Sequence, residues 1–353
     1  MKSMASRHMV VGDREYEFPY SKGLMASAIM ATGLAPARAF HVAEVIEERL
    51  DDQAVGTISR VELNQLAKDV LRTEVGDRYA ESFSKWQLVQ RLDLPLVILL
   101  GGATGVGKST IATMLASRLG ITRVIPTDAI REVMRSMFTA DLFPSLHTSS
   151  FDAARLVRHP LPRSADPVII GFREQTSAVS VGIEALVSRA VSEGTDLIVE
   201  GAHVVPGFLD LARFDGKAVV VPMVVTVDEV EMHRSHFLQR SHDSRNRPAE
   251  RYLDSFQNIR KMHRYVRSLA LQHNVAIVQS YNLDATLSQV IDLVVGQAFR
   301  AVPDATLSGQ DLLDPFEPGP VRGDRPSAPP VPSSNQPDEH ATGLMARRGE
   351  AAP

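Results

Sequence analysis

Gly102, Gly107, Lys108 and Ser109 occupy the fixed positions of the pattern G-x-x-x-x-G-K-[ST] within the stretch LVILLGGATGVGKST, residues 96–110. Residue types at this spacing bind phosphate. Glycines let the backbone curl until successive N–H groups point inward as an anion nest. The helix that opens behind the turn adds its positive end. Gly102, Ala103, Thr104, Gly105, Val106, Gly107, Lys108, Ser109 and Thr110 are therefore the expected nucleotide-binding loop. Lys108 should reach the β- and γ-phosphates of ATP and act in catalysis, and the Ser109 hydroxyl should help hold Mg²⁺. The surroundings agree. An apolar run, Leu96 to Leu100, precedes the loop, and Ile111, Leu115 and Leu119 follow it at helical spacing.

Further groups have the chemistry to complete such a site. Asp128 ends a strand candidate, where ligands gather in open α/β sheets, and suits the positioning or deprotonation of an acceptor hydroxyl. Arg131 and Arg135 are four apart on one helix and can bind an anionic substrate. The alternative is that Thr127 or Asp128 caps this helix and the arginines are solvated. Glu200 closes the apolar strand in DLIVEGAH, residues 196–203, and is the candidate for the metal shell or its bound water. Gly201 would let the chain pass close to the phosphates. His203 either packs or caps a helix, or touches the acceptor.

Two more stretches carry cations. The run from His233 to Arg251 holds Arg234, Arg240, Arg245 and Arg247. It reads either as a lid bringing arginines to the transferring phosphoryl group, with Arg240 the catalytic and Arg234 the substrate-binding candidate, or as a solvated charged helix. Gly171-Phe-Arg173-Glu-Gln175 opens a long helix whose start could bring Arg173 and Gln175 to a substrate anion.

These residues need elements to hold them. From Leu94 to about Arg300 strands alternate with helices, which argues α/β with a parallel sheet. Five strand candidates, 96–100, 122–126, 196–200, 218–226 and 275–279, are short and rich in Val, Ile and Leu, as strands buried on both faces should be. Several helices must fill 127–195. Residues 9–93 make a small domain ahead of the loop. Met9-Val-Val and Tyr16-Glu-Phe suggest a hairpin, and helices follow over 21–32, 36–50, from a Ser59 cap, and over 78–91 around Trp86, the only tryptophan. Residues 303–353 hold much of the proline and no apolar periodicity, and read as a disordered tail.

Composition narrows the classes. The 353 residues suffice for about two domains, and 44% hydrophobic with 23% charged residues fits a globular protein. A net charge of −4 does not favour a nucleic-acid-coating protein. Cysteine is absent, which excludes disulfides, thiolate metal sites and a Cys nucleophile. With no stretch long enough to span a bilayer and no apolar leader, a cytoplasmic protein with neither nucleic-acid nor membrane partners is expected. The oligomeric state stays open.

The hairpin and helices of residues 9–93 resemble the ATP-cone, a small nucleotide-sensing domain; the alternative is a helical cap without a ligand. GGATGVGKST, IPTDAIREVMR, GFREQTSAVSVGIEALVSRAVSEG, LIVEGAHVVPG and HRSHFLQR together resemble the 2-phosphoglycerate kinase family known from archaea. The likeness covers roughly residues 9–300. It implies a three-layer phosphate-loop kinase with a mobile lid, ATP and Mg²⁺ as cofactors, and 2-phosphoglycerate or a similar anion as the small-molecule partner. Two other readings remain: a kinase for another anionic or polyhydroxyl acceptor, and a nucleotide-sensing interaction protein without turnover.

Overall fold

The computed structural model describes residues 10–13, 16–52, 57–157, 160–243 and 249–301; the side chains of 10–18, 240–243 and 249 lie outside that description. The expected tail, 303–353, also lies outside the described residues.

Strands β1 (Val10–Asp13) and β2 (Tyr16–Pro19) pair antiparallel as the hairpin expected from the sequence. Helices α1 (Lys22–Met30) and α2 (Pro36–Asp52) follow. A two-residue strand β3 (Thr57–Ile58), which the sequence did not announce, joins β1 in parallel. Then come α3 (Arg60–Glu74) and α4 (Asp77–Val89). Ser59 starts α3 with a full capping box: its Oγ accepts from Glu62 N, and the Glu62 carboxylate accepts from Ser59 N at 3.0 Å. Ile29, Ile46, Leu50, Leu71 and Phe83 fill the core among these helices.

The second sheet contains β4 (Leu96–Gly101), β5 (Val124–Pro126), β6 (Leu197–Glu200), β7 (Val219–Thr226) and β8 (Ala276–Gln279), all at expected places. Its order is β5-β6-β4-β7-β8, and every pair is parallel. Side chains of β4 alternate between two cores. Leu96, Ile98 and Leu100 meet α5 (Lys108–Leu119), α10 (Phe256–Gln272) and α11 (Leu283–Phe299) in one core. Val97 and Leu99 meet α6 (Thr127–Met137) and α7 (Pro167–Glu193) in the other. Helices on both faces explain why these strands read as unbroken apolar runs. Between β7 and α10 lie α8 (Val230–Asp243) and α9 (Ala249–Asp254).

Helix α7 starts at Pro167 behind the N-cap Asp166, whose side chain accepts from Val168 N, not at Gly171 as expected. Asp-Pro is itself a start signal, since Pro at the first helical position gives up no bonded N–H. Arg173 and Gln175 thus lie in the second and third turns, away from the helix's positive end.

Helix α4 serves two cores. Its Ala80 and Phe83 face the N-terminal helices, while Trp86 and Val89 enter the core that also holds α5 and α11. Arg78 pairs with Asp292 and donates to Ser288 Oγ at 3.1 Å, both on α11.

Candidate active site

Strand β4 lies between β6 and β7, and the chain leaves it first toward one edge of the sheet and later toward the other. The crevice beyond its carboxyl end is the switch point of this topology. The glycine-rich loop emerges there and α5 begins at Lys108, behind Gly107 in the left-handed region. Lys108 is buried, and its Nζ donates to Ala103 O at 2.8 Å. Pairing of Leu100 with Glu200 brings the end of β6 beside the loop. Ser109 Oγ donates to Glu200 Oε1 at 2.9 Å, so the two expected metal-shell residues meet. No group of three or more His, Cys, Asp or Glu suited to a metal occurs among the described residues. A Mg²⁺ ion carried by nucleotide phosphates keeps several waters and needs one or two protein oxygens, which this pair can supply.

Asp128 sits in the first turn of α6 with its side chain 76% exposed. Neither it nor Thr127 caps the helix: the N-cap is Pro126, and no side-chain bond closes it. Thr127 turns inward instead. Its Oγ1 lies 2.9 Å from His203 Nδ1, and His203 Nε2 lies 2.9 Å from Gln175 Oε1. Gln175 Nε2 donates to Ser145 O and to Thr148 O, the latter at 3.0 Å. With that amide committed as donor, Oε1 accepts, so His203 carries its proton on Nε2 and accepts from Thr127 at Nδ1. Burial pushes the His203 pKa down to about 4, so it is neutral at neutral pH. His203 and Gln175 are therefore internal links, not acceptor contacts. Gly201 also departs from expectation: a Cβ there would overlap Thr127 Oγ1, so its closeness is to α6.

The arginines separate. Arg131 is not solvated: its Nη1 donates to Leu146 O at 2.9 Å and Thr148 O at 3.1 Å, and its Nε lies 3.7 Å from Asp128 Oδ1. Arg135, on the same helix, is paired with Glu132, and Arg173 is exposed. Arg234 is exposed, 4.0 Å from Glu231 and 5.1 Å over the Phe256 ring. Arg240 lies in α8, but its side chain is outside the description, and Arg245 and Arg247 lie outside the described residues. From the same run, Arg251 Nη2 donates to Ser149 Oγ at 2.8 Å.

Two histidines of the same run contact the glycine-rich loop, which was not expected from the sequence. His233 Nε2 lies 2.8 Å from Thr104 O, and His236 Nδ1 lies 2.9 Å from Gly105 O. Phe237 packs where a Cβ on Gly105 would be. Their spacing of i, i+3 and i+4 on one helix was the available signal.

A group of archaeal enzymes is similar to this chain over most of its length. The chain is 39% identical over 298 residues to the 2-phosphoglycerate kinase of Methanopyrus kandleri, covering 83% of this chain and 89% of that protein. The chain belongs to the 2-phosphoglycerate kinase family. A second member, from Methanothermobacter thermautotrophicus, is 38% identical over 80% of this chain and 92% of its own length. Another, from Pyrococcus horikoshii, is 34% identical, with 86% and 97% covered. Membership in a kinase family implies ATP as a substrate. Among solved structures, a gluconokinase from Sinorhizobium meliloti is 12% identical with a TM-score of 0.34, covering 61% of this chain and 98% of its own, a score too low to carry weight. No protein-family model matches the chain, so none supports the ATP-cone likeness of residues 9–93.

Proposed function

We propose that this protein transfers the γ-phosphoryl group of ATP to the free hydroxyl of 2-phosphoglycerate, giving 2,3-bisphosphoglycerate and ADP. The observation that carries the reading is the meeting of Lys108, Ser109 and Glu200 at the carboxyl ends of β4 and β6. The acceptor is the one in the relatives' name.

The hydroxyl oxygen attacks the γ-phosphorus, and the bond from that phosphorus to the oxygen bridging to ADP breaks. Asp128 receives the hydroxyl proton; its carboxylate is exposed in the first turn of α6, 3.7 Å from Arg131 Nε. Lys108 leaves Ala103 O and offsets charge developing on the β- and γ-oxygens. A Mg²⁺ ion would be held by Ser109 Oγ, with Glu200 on the ion or its bound water, and supplies charge neutralisation between nucleotide and acceptor. The acceptor's carboxylate and phosphate call for cations, and Arg131, Arg135, Arg173 and Arg234 are the candidates, with Arg240 a catalytic candidate from α8. In this reading residues 94–302 form the transferase part, 9–93 an accessory part, and 303–353 a tail, in a cytoplasmic protein.

The test is coupled ADP release from Mg·ATP with and without 2-phosphoglycerate, using Lys108→Ala as blank. Acceptor-dependent release that disappears in the blank supports the reading. ATP binding without such release rejects this acceptor, and a panel of sugar acids and phosphorylated acids then follows.

A further inference from the structure

We propose that His233 and His236 of α8 are positioning residues that hold two peptide planes of the glycine-rich loop so that the N–H groups of Gly105 and Val106 face the phosphates. The inference rests on the reading of that loop as the ATP cradle and deepens it.

A trans peptide is planar, and its C=O and N–H point in opposite directions. The carbonyl of Thr104 shares a plane with the amide of Gly105, and the carbonyl of Gly105 with that of Val106. His233 Nε2 takes the first carbonyl at 2.8 Å and His236 Nδ1 the second at 2.9 Å. Both carbonyls are thereby drawn toward α8, and both amides are turned away from it. The glycine itself does not impose this: Gly105 has φ +88, and glycine visits either sign of φ about as readily.

The histidines are themselves held. His233 is fully buried, and its Nδ1 lies 3.3 Å from Arg260 Nη1, a donor. An imidazole that accepts at Nδ1 donates at Nε2, so the tautomer suits the carbonyl of Thr104. Arg260 also donates to Val227 O at 2.7 Å and Asp228 O at 2.8 Å, tying the group to the end of β7. The Phe237 ring then closes on Gly105 and leaves no room for the loop to roll back. The cradle is thus preorganised from outside, by a helix that touches the side of the loop opposite its ligand.

The experiment is calorimetric titration of the full-length protein with Mg·ADP and with inorganic tripolyphosphate, which has no base or sugar. His236 is half-buried, so His236→Leu should fold, and it should weaken both ligands about tenfold, the worth of one oriented hydrogen bond to a charged group. His236→Asn, whose amide can donate from nearly the same place, should stay within about threefold of the parent. His233→Leu and His233→Gln form the second pair, with Gln restoring the donor. The KM for the acceptor should not move in any of the four. A folded His236→Leu protein with parental affinity for tripolyphosphate overturns the proposal. Asn and Leu variants that lose equal affinity overturn it too, since a merely structural role would not distinguish them. Wild type that binds Mg·ADP but phosphorylates no 2-phosphoglycerate rejects the acceptor and leaves the positioning role standing. Wild type that binds neither ligand rejects both.

Discussion

Lys108 rests on a carbonyl of its own loop, and Ser109 rests on Glu200. In the proposed reaction both bonds are exchanged, the first for phosphate and the second for metal. Replacing Lys108 by Ala should lower turnover by about a hundred- to a thousandfold, the cost of one donor aimed at developing charge. Far-UV circular dichroism should be unchanged, and a variant with full turnover would sink the assignment. The buried histidines make a separate prediction. His203, His233 and His263 each titrate near 4 when folded, against 6.5 for the ordinary group, with burial the leading cause. Between those values the unfolded chain binds more protons than the folded one. Stability is therefore kept above about pH 6.5 and falls as the pH drops toward 4. Each histidine contributes up to about 1.4 kcal/mol per pH unit in that window. Urea unfolding at neutral pH and at about pH 5 measures it, and His203→Gln should reduce the slope. A flat profile would count against neutral buried imidazoles.

At the scale of elements, the central strands β4 and β6 were legible because burial on both faces demands Val, Ile and Leu throughout, and the loop because phosphate chemistry fixes its spacing. Strand β3 was not, for it has two residues and takes its pairing from β1, far back in the chain. Nor was the Thr127–His203–Gln175 chain, whose members come from two helices and the turn after β6 and touch only after folding. Arg131 shows the same limit. Helical spacing put it beside Arg135, but the carbonyls at Leu146 and Thr148 that bind it come from a segment with no regular pattern. Gly201 tests this junction. It has φ +155, and a methyl group there meets Thr127. Gly201→Ala should cost about 1–3 kcal/mol in urea unfolding, from backbone strain and displaced packing. It should also raise the acceptor KM by shifting the first turn of α6, which carries Asp128. An unchanged midpoint and KM would show that the turn relaxes freely.

Across the whole molecule, the N-terminal helices are joined to the sheet by packing as well as by chain. Trp86 and Val89 of α4 lie in the core shared with α5 and α11, and Arg78 reaches Asp292 and Ser288. Removing residues 1–93 would expose that face of α11 and the side of the helix that begins at Lys108. The shortened protein should aggregate or melt well below the parent in a thermal scan, since uncovering one large side chain alone costs about 1.5–3 kcal/mol. A truncated protein with parental melting temperature would show that the two parts are energetically independent. Arg78→Ala should do far less, because an exposed pair contributes only about 0–1 kcal/mol.

Trp86 is the only tryptophan in the chain and is 5% exposed, on the helix that serves both cores. The intrinsic fluorescence of this protein therefore comes from a single chromophore at the seam. Its emission should be blue-shifted in the native state and move to the red when that seam opens. If α4 leaves the sheet before the strands separate, the spectral change will precede loss of the circular dichroism signal along a urea gradient. Coincident curves would mean that the accessory helices and the phosphate-binding part unfold as one cooperative unit.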